Sequence, residues 1–256
     1  MRLALLTALA FAVLLASSVF AYAQDDADAP PPTVDEQAAA FIAEVKGVAG
    51  KQEEKEDVKA VNRLLGYCQS PDLDDKIRKT AVGLLDKLAK DDRDAVGVLA
   101  LKALGGSRGG SNAAKKLFAH IKKLTKEKEP RKNRINAAFT SLRALADPSK
   151  GTVGGIIKLM RDNDPGTAAQ AVLAASGYSK AEGAVRKELF EAILKQTEGP
   201  ANAAKSDPNS SQARRWNQMS AATRTAFKAL SGQSFPSPAE ARSWFNEHKK
   251  DREVWK

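Results

Sequence analysis

Residues 134–175, RINAAFTSLRALADPSKGTVGGIIKLMRDNDPGTAAQAVLAA, decide the fold. Ile135, Ala138, Phe139, Leu142 and Leu145 recur mainly at intervals of three and four, which gathers them on one face of a helix; a half-buried strand would alternate instead. Asp147-Pro148 interrupts the pattern, and Val153, Ile156, Ile157 and Met160 resume it. Asp164-Pro165 then supplies a cap and a first-turn proline, whose missing N–H costs nothing there. A helix from Arg134 and another from Gly166 each precede a second helix, the later one holding Val185, Leu189, Phe190 and Ile193. Ser179 to Glu182 reads as the capping box of that later helix.

The same grammar extends upstream. Thr33 stands three residues before Glu36 as a capping box, opening a helix with Ala38, Phe41, Val45 and Val48 on one face. A second helix runs from about Glu53 to Gln69 and stops at Ser70-Pro71, a pair suited to cap the next helix, which carries Leu73, Ile77, Leu84, Leu85 and Leu88. Val96, Leu99, Leu101 and Leu104 mark a fourth helix, closed by a predicted glycine-rich loop at Gly105 to Gly110. Ala114, Leu117, Phe118, Ile121 and Leu124 mark a fifth. Each stripe needs a partner, because an isolated amphipathic helix is marginal in water.

Asn136-Ala137-Ala138-Phe139 through Leu142 to Asp147-Pro148, then Thr167 to Ala175, with Lys76 to Leu88 as a weaker relative, resemble the units of HEAT and armadillo-like helical-repeat proteins, particularly small exported bacterial ones. That resemblance implies an all-α fold, a degenerate HEAT-like α solenoid over residues 33–199 whose inner helices present a binding surface. A compact orthogonal helical bundle is the alternative, since the helix lengths are irregular. The segments Phe227 to Phe235 and Trp244 to Lys249 also resemble a tail of exported repeat proteins in planctomycete-type bacteria, here read as a C-terminal helical cap over 212–256 behind a polar linker at 200–211.

At the other end, Met1-Arg2, an apolar run from Leu3 to Phe20 and Ala21-Tyr22-Ala23 form the three parts of an export signal with a small-x-small cleavage site. The expected products are a signal peptide over 1–23, a flexible leader over 24–32 and a periplasmic or secreted protein with no transmembrane body; retention of the segment as an uncleaved N-terminal anchor is the alternative. The single cysteine, Cys68, continues the stripe of Val58, Val61, Leu64 and Leu65 and is expected to be a buried free thiol.

The formal net charge of +10 favours loose association with anionic surfaces, acidic polysaccharides or nucleic acid released outside cells, with solubility alone as the alternative use. Lys115, Lys116, Lys122, Lys123, Lys126, Lys128, Arg131, Lys132 and Arg134 concentrate that charge and form the candidate polyanion-binding site, with acidic polysaccharide or an envelope surface as the expected ligand and no specific nucleic acid predicted. Trp216 and Trp244 fit core stripes. Trp255 either folds back over the last helix or meets a partner.

The sequence presents no catalytic, metal or cofactor constellation. His120 and His248 are the only histidines, and neither has metal-ligand company at helical spacing beyond Asp251 three residues after His248. Gly105-Gly106-Ser107-Arg108-Gly109 has the Gly-x-Ser-x-Gly spacing but lacks the strand-to-helix elbow that a nucleophilic serine needs, and Gly105 to Gly110 lacks the Gly-Lys-Ser/Thr ending of a phosphate-cradling loop. Asp91, Asp92, Asp94, Asp162 and Asp164 offer no reason to select a catalytic pair. The expectation is a non-enzymatic exported scaffold that binds a protein, with a basic cell-envelope protein binding anionic polysaccharide or another polyanion as the alternative.

Overall fold

A computed structural model describes residues 31–255; the expected signal peptide over 1–23 and most of the expected leader over 24–32 lie outside the described residues. From Val34 onward the chain is one unit. It holds eleven α-helices: α1 Val34–Val48, α2 Glu54–Gln69, α3 Asp75–Leu88, α4 Asp94–Gly106, α5 Gly110–Leu124, α6 Lys132–Leu145, α7 Lys150–Met160, α8 Pro165–Ala175, α9 Gly183–Ser206, α10 Ser211–Ser231 and α11 Pro238–His248. A short 3-10 turn, Ser176–Lys180, follows α8, and no strand occurs among the described residues.

The helices alternate between two layers. Within one layer α2, α4, α6, α8 and α10 pack each on the next, and within the other α1, α3, α5, α7, α9 and α11 do the same. Cross-layer hairpins α1–α2, α3–α4, α5–α6, α7–α8 and α9–α10 join them, which is the stacked helix-hairpin pattern of a solenoid-like chain. The repeat expected from Arg134 paired α6 with the helix after it. In the structure α6 packs on α5 and scarcely meets α7, so the hairpin begins one helix earlier. Amphipathic spacing specifies that a face is buried but not which neighbour buries it.

One continuous core runs from Phe41 to Trp255 between the layers. Val61, Leu64, Leu85, Leu101, Leu117, Leu142, Ile156, Val172, Phe190 and Leu230 are wholly buried within it. Cys68 is buried and free, as its stripe predicts, and burial pushes its thiol up to about 11. Val48 departs from its stripe and is 41% exposed, because it lies in the last turn of α1.

Ion pairs with one buried partner each tie successive hairpins together. Asp57, at 0% exposure, accepts from Arg93 Nη2 at 2.5 Å and from the Gly50 N–H at 3.0 Å; Arg93 also binds Asp91 and the Gln52 carbonyl. One hairpin later Arg134 donates through Nε to Asp94 at 2.7 Å. Such pairs are costly to break singly, because each leaves an uncompensated buried charge.

Two predicted boundaries change. The helix after Ser70-Pro71 begins only at Asp75, capped by Asp74, whose carboxylate accepts from the Lys76 and Ile77 N–H groups. Ser70 ends α2, as expected, and does not cap the next helix. The residue before α9 is Glu182, without a side-chain cap bond, while Ser179 belongs to the 3-10 turn. Asp164 caps α8 as its sequence suggests, and Ser237 caps α11, each followed by a first-turn proline.

The linker expected over 200–211 is mostly helix. α9 continues through Pro200 to Ser206 because Thr197 and Ala201, one on either side of the proline, are buried and outweigh the lost backbone bond. Asp207 to Ser210 is then a turn between the two helices of a hairpin, and the Ser210 hydroxyl caps α10 by accepting from the Ala213 N–H at 3.1 Å. Since α10 packs on α8 and α9, it is a member of the array and not part of a separate cap. Only α11 and the residues after it cover the end.

That covering is aromatic. Phe190 of α9 lies 4.6 Å from Phe227, 5.6 Å from Phe245 and 5.8 Å from Trp255, centroid to centroid. Trp255 folds back over the last helix, with its Nε1 donating to the His248 carbonyl at 3.0 Å. Gly183 permits the approach, since a Cβ there would overlap the Trp255 carbonyl. Trp216 is half-buried and lies outside the core that Trp244 joins, a correction to its apolar-stripe assignment.

No helix among the described residues is long and apolar enough to cross a membrane.

Candidate functional site

Helix α5 positions the middle of the basic stretch. Ala113, Ala114, Leu117, His120, Ile121 and Leu124 turn inward, so Lys115, Lys116, Lys122 and Lys123 fall on the solvent side. Lys126 and Lys128 occupy the turn that follows, Arg131 precedes α6, and Lys132 is its first residue. The nine cations therefore do not form one surface.

Arg134 leaves the group altogether. Residues 134, 137, 138, 141 and 142 share the inward face of α6, and Arg134 is only 2% exposed. Its guanidinium lies over Gly97, where a Cβ would stand 2.7 Å from Cζ, and its Nη2 has no hydrogen-bond partner. Its charge is legible in the sequence, but its rotation around the helix is not. Arg131 is half-buried and committed to Glu127 at 3.3 Å and Asp92 at 3.4 Å.

Of the remainder, Lys116 reaches across to Asp86 of α3 at 3.3 Å. Lys115, Lys122, Lys123, Lys126, Lys128 and Lys132 are exposed, and none has a carboxylate partner among the described residues. Asp86 itself is bound on both oxygens: Oδ1 lies 3.0 Å from His120 Nε2, while Oδ2 accepts from Lys90 at 2.9 Å and from Lys116. Burial alone would raise this carboxyl; the hydrogen bonds from His120 and Lys90 and the charges of Lys116 and Lys90 outweigh it, holding Asp86 well below the usual carboxylate range. Above these groups lies an open basin of 420 Å³ lined by Asp86, Lys90, Asn112, Lys115, Lys116, Ala119, His120 and Lys123.

A second concavity lies on the other layer, where the exposed sides of α2, α4 and α6 adjoin. It has a volume of 640 Å³, an aliphatic floor of Val58, Ala95, Val98, Leu99 and Ala137, and a polar rim of Asp94, Lys102, Asn133, Asn136 and Thr140. Gln170 of α8 continues the rim by donating to Asn136 Oδ1 at 3.4 Å. An aliphatic floor beside amide and hydroxyl groups can accept apolar side chains while hydrogen-bonding a peptide main chain. The sequence reading missed this groove because Leu99 and Val58 fall on stripes that also supply the core; their half-buried state depends on how far apart neighbouring helices stand.

The remaining polar candidates are structural. His248 Nδ1 lies 2.8 Å from the Trp244 carbonyl and its ring stacks on Trp244, while Asp251 accepts from the Glu253 N–H. No group of three or more metal-ligating side chains converges among the described residues. Gly105 and Gly106 lie inside α4, which leaves only residues 107–109 between α4 and α5 in place of the expected longer loop. No protein-family model and no curated protein matches the chain.

Proposed function

We propose that this chain is an exported, non-enzymatic scaffold of the HEAT or armadillo type that binds an extended segment of a protein partner along α2, α4 and α6. The groove with Val98 and Leu99 in its floor and Asn133, Asn136 and Thr140 on its rim carries this reading. A stack of hairpins presents such a surface across several helices at once, so that a linear segment contacts successive units. Export rests on the order of Arg2, the apolar run Leu3 to Phe20 and Ala21-Tyr22-Ala23.

A photo-crosslinking residue at Thr140, compared with one at Lys187 on the other layer, tests this in the native envelope. A saturable protein adduct at position 140 and none at 187 supports the scaffold. Adducts at both positions or only at 187 overturn the groove assignment. Turnover by the purified protein in a substrate-class screen overturns the non-enzymatic reading.

A second reading, binding of anionic polysaccharide or another polyanion, draws on the unpaired lysines of α5. Retention of wild-type protein on a heparin-like matrix should fall as salt rises, and changing Lys122, Lys123 and Lys126 to Gln should reduce it. Equal retention of the two proteins removes this reading.

A further inference from the structure

We propose that the basin between α3 and α5 binds one tetrahedral oxyanion, the phosphate or sulfate group of a monoester. It lies on the layer opposite the peptide groove and does not depend on that reading. It sharpens the polyanion alternative to a single pocket.

Four lysines, Lys90, Lys115, Lys116 and Lys123, border the basin, against one carboxylate, Asp86. That carboxylate is spent: one oxygen faces His120 and the other accepts from Lys90 and Lys116. Its effect is to hold Lys116 across the gap between the two helices beside Lys90, leaving a positive excess at the mouth. Lys115 and Lys123 have no carboxylate of their own among the described residues.

Asn112, Lys115, Lys116, Ala119 and Lys123 follow one another at intervals of one, three and four along α5, so their side chains rise on a single strip. Lys122 and Lys126 of the same cationic stretch do not line the basin. Small Ala119 leaves the space between Lys115 and Lys123 unfilled. An oxyanion seated there accepts charge-assisted hydrogen bonds from the two free ammonium groups.

His120 is the floor and also a reporter. Because Asp86 remains ionised and can only accept, His120 Nε2 carries the hydrogen between them. An anion above Lys116 alters the field at this buried ring. The chain's other histidine, His248, belongs to α11 and lines no part of the basin, so it serves as an internal control.

The experiment is an NMR titration of the two imidazoles in the full mature chain at fixed pH and ionic strength. Glucose 6-phosphate and glucose 6-sulfate are the two probes, with sodium chloride as the reference. The expected result is saturable movement of the His120 resonance, with His248 unmoved. Lys115→Gln with Lys123→Gln should weaken the midpoint by about tenfold or more, as expected for the loss of two charge-assisted contacts, while Lys122→Gln with Lys126→Gln, an equal change of charge, should shift it by less than about twofold. The ester with the lower midpoint identifies the source of the group. Equal weakening by the two double variants, parallel movement of His248, or the same response to chloride overturns the site and leaves only a diffuse positive field. None of these outcomes alters the crosslinking result at Thr140.

Discussion

Gly105 lies directly against Ser141: a Cβ on Gly105 would stand 2.6 Å from the Ser141 Cα and 2.8 Å from its carbonyl oxygen. This contact presses α4 on α6 at the centre of one layer, below the groove-lining residues. A glycine that reads as loop material is used here to let two helix backbones approach.

Gly105→Ala should therefore destabilise the fold by about 1–3 kcal/mol, since the backbone of Ser141 must move. Gly83, inside α3 with nothing within 4 Å of its Cβ position, is the matched control. Gly83→Ala should stabilise by about 0.5–1 kcal/mol through helix propensity. Urea denaturation of both variants checks the pair, and equal effects contradict the assigned contact.

Leu142 is fully buried, and Lys123 is exposed on α5. Leu142→Ala should cost about 2–5 kcal/mol, and Leu142→Asp more, by placing an unpaired charge in the core. Lys123→Gln should stay within about 0.5 kcal/mol of wild type. Thermal unfolding followed by circular dichroism separates them.

The depressed Asp86 carboxyl predicts a pH dependence of known sign. A carboxylate held below its unfolded value of about 3.9 stabilises the fold at every pH above that value, and the contribution disappears as pH falls towards the folded value. Asp86→Asn should therefore be less stable than wild type near neutrality, with the gap narrowing between about pH 5 and pH 2. A gap independent of pH in denaturant titrations would show that Asp86 acts through packing alone.

Trp255 closes the far end of the stack against Phe190, Trp244 and Phe245. Trp255→Ala should cost about 3 kcal/mol and speed hydrogen exchange of α11 amides, leaving α2 to α4 protected as before. Quasi-one-dimensional stacks confine such damage to neighbouring units. Uniform loss of protection along the chain would refute that local character.

Much of the fold is legible locally. The stripes of Ala114, Leu117, Ile121 and Leu124 or of Leu189, Phe190 and Ile193 are buried as their spacing predicts, and Asp164 and Ser237 cap the helices they precede. Helical periodicity and capping depend on residues within one or two turns, which a linear reading contains. The candidate cations were less legible. Lys115 and Lys123 share a basin, but Arg134, only two residues beyond Lys132, turns inward to Asp94. Charge along a chain says nothing of rotation around the helix that carries it.

By itself, the amino-acid order determined that this protein is helical, which side of most helices is apolar, and that its charge is strongly positive. Tertiary structure alone decided that α6 joins α5 and not α7, that α10 enters the array through an unbroken α9, and that Asp86 of α3 meets His120 and Lys116 of α5. The physical reason is range: periodicity is a property of neighbours in sequence, whereas layers, grooves and basins arise where distant apolar faces compete for the same partner and leave polar groups facing one another across the seam.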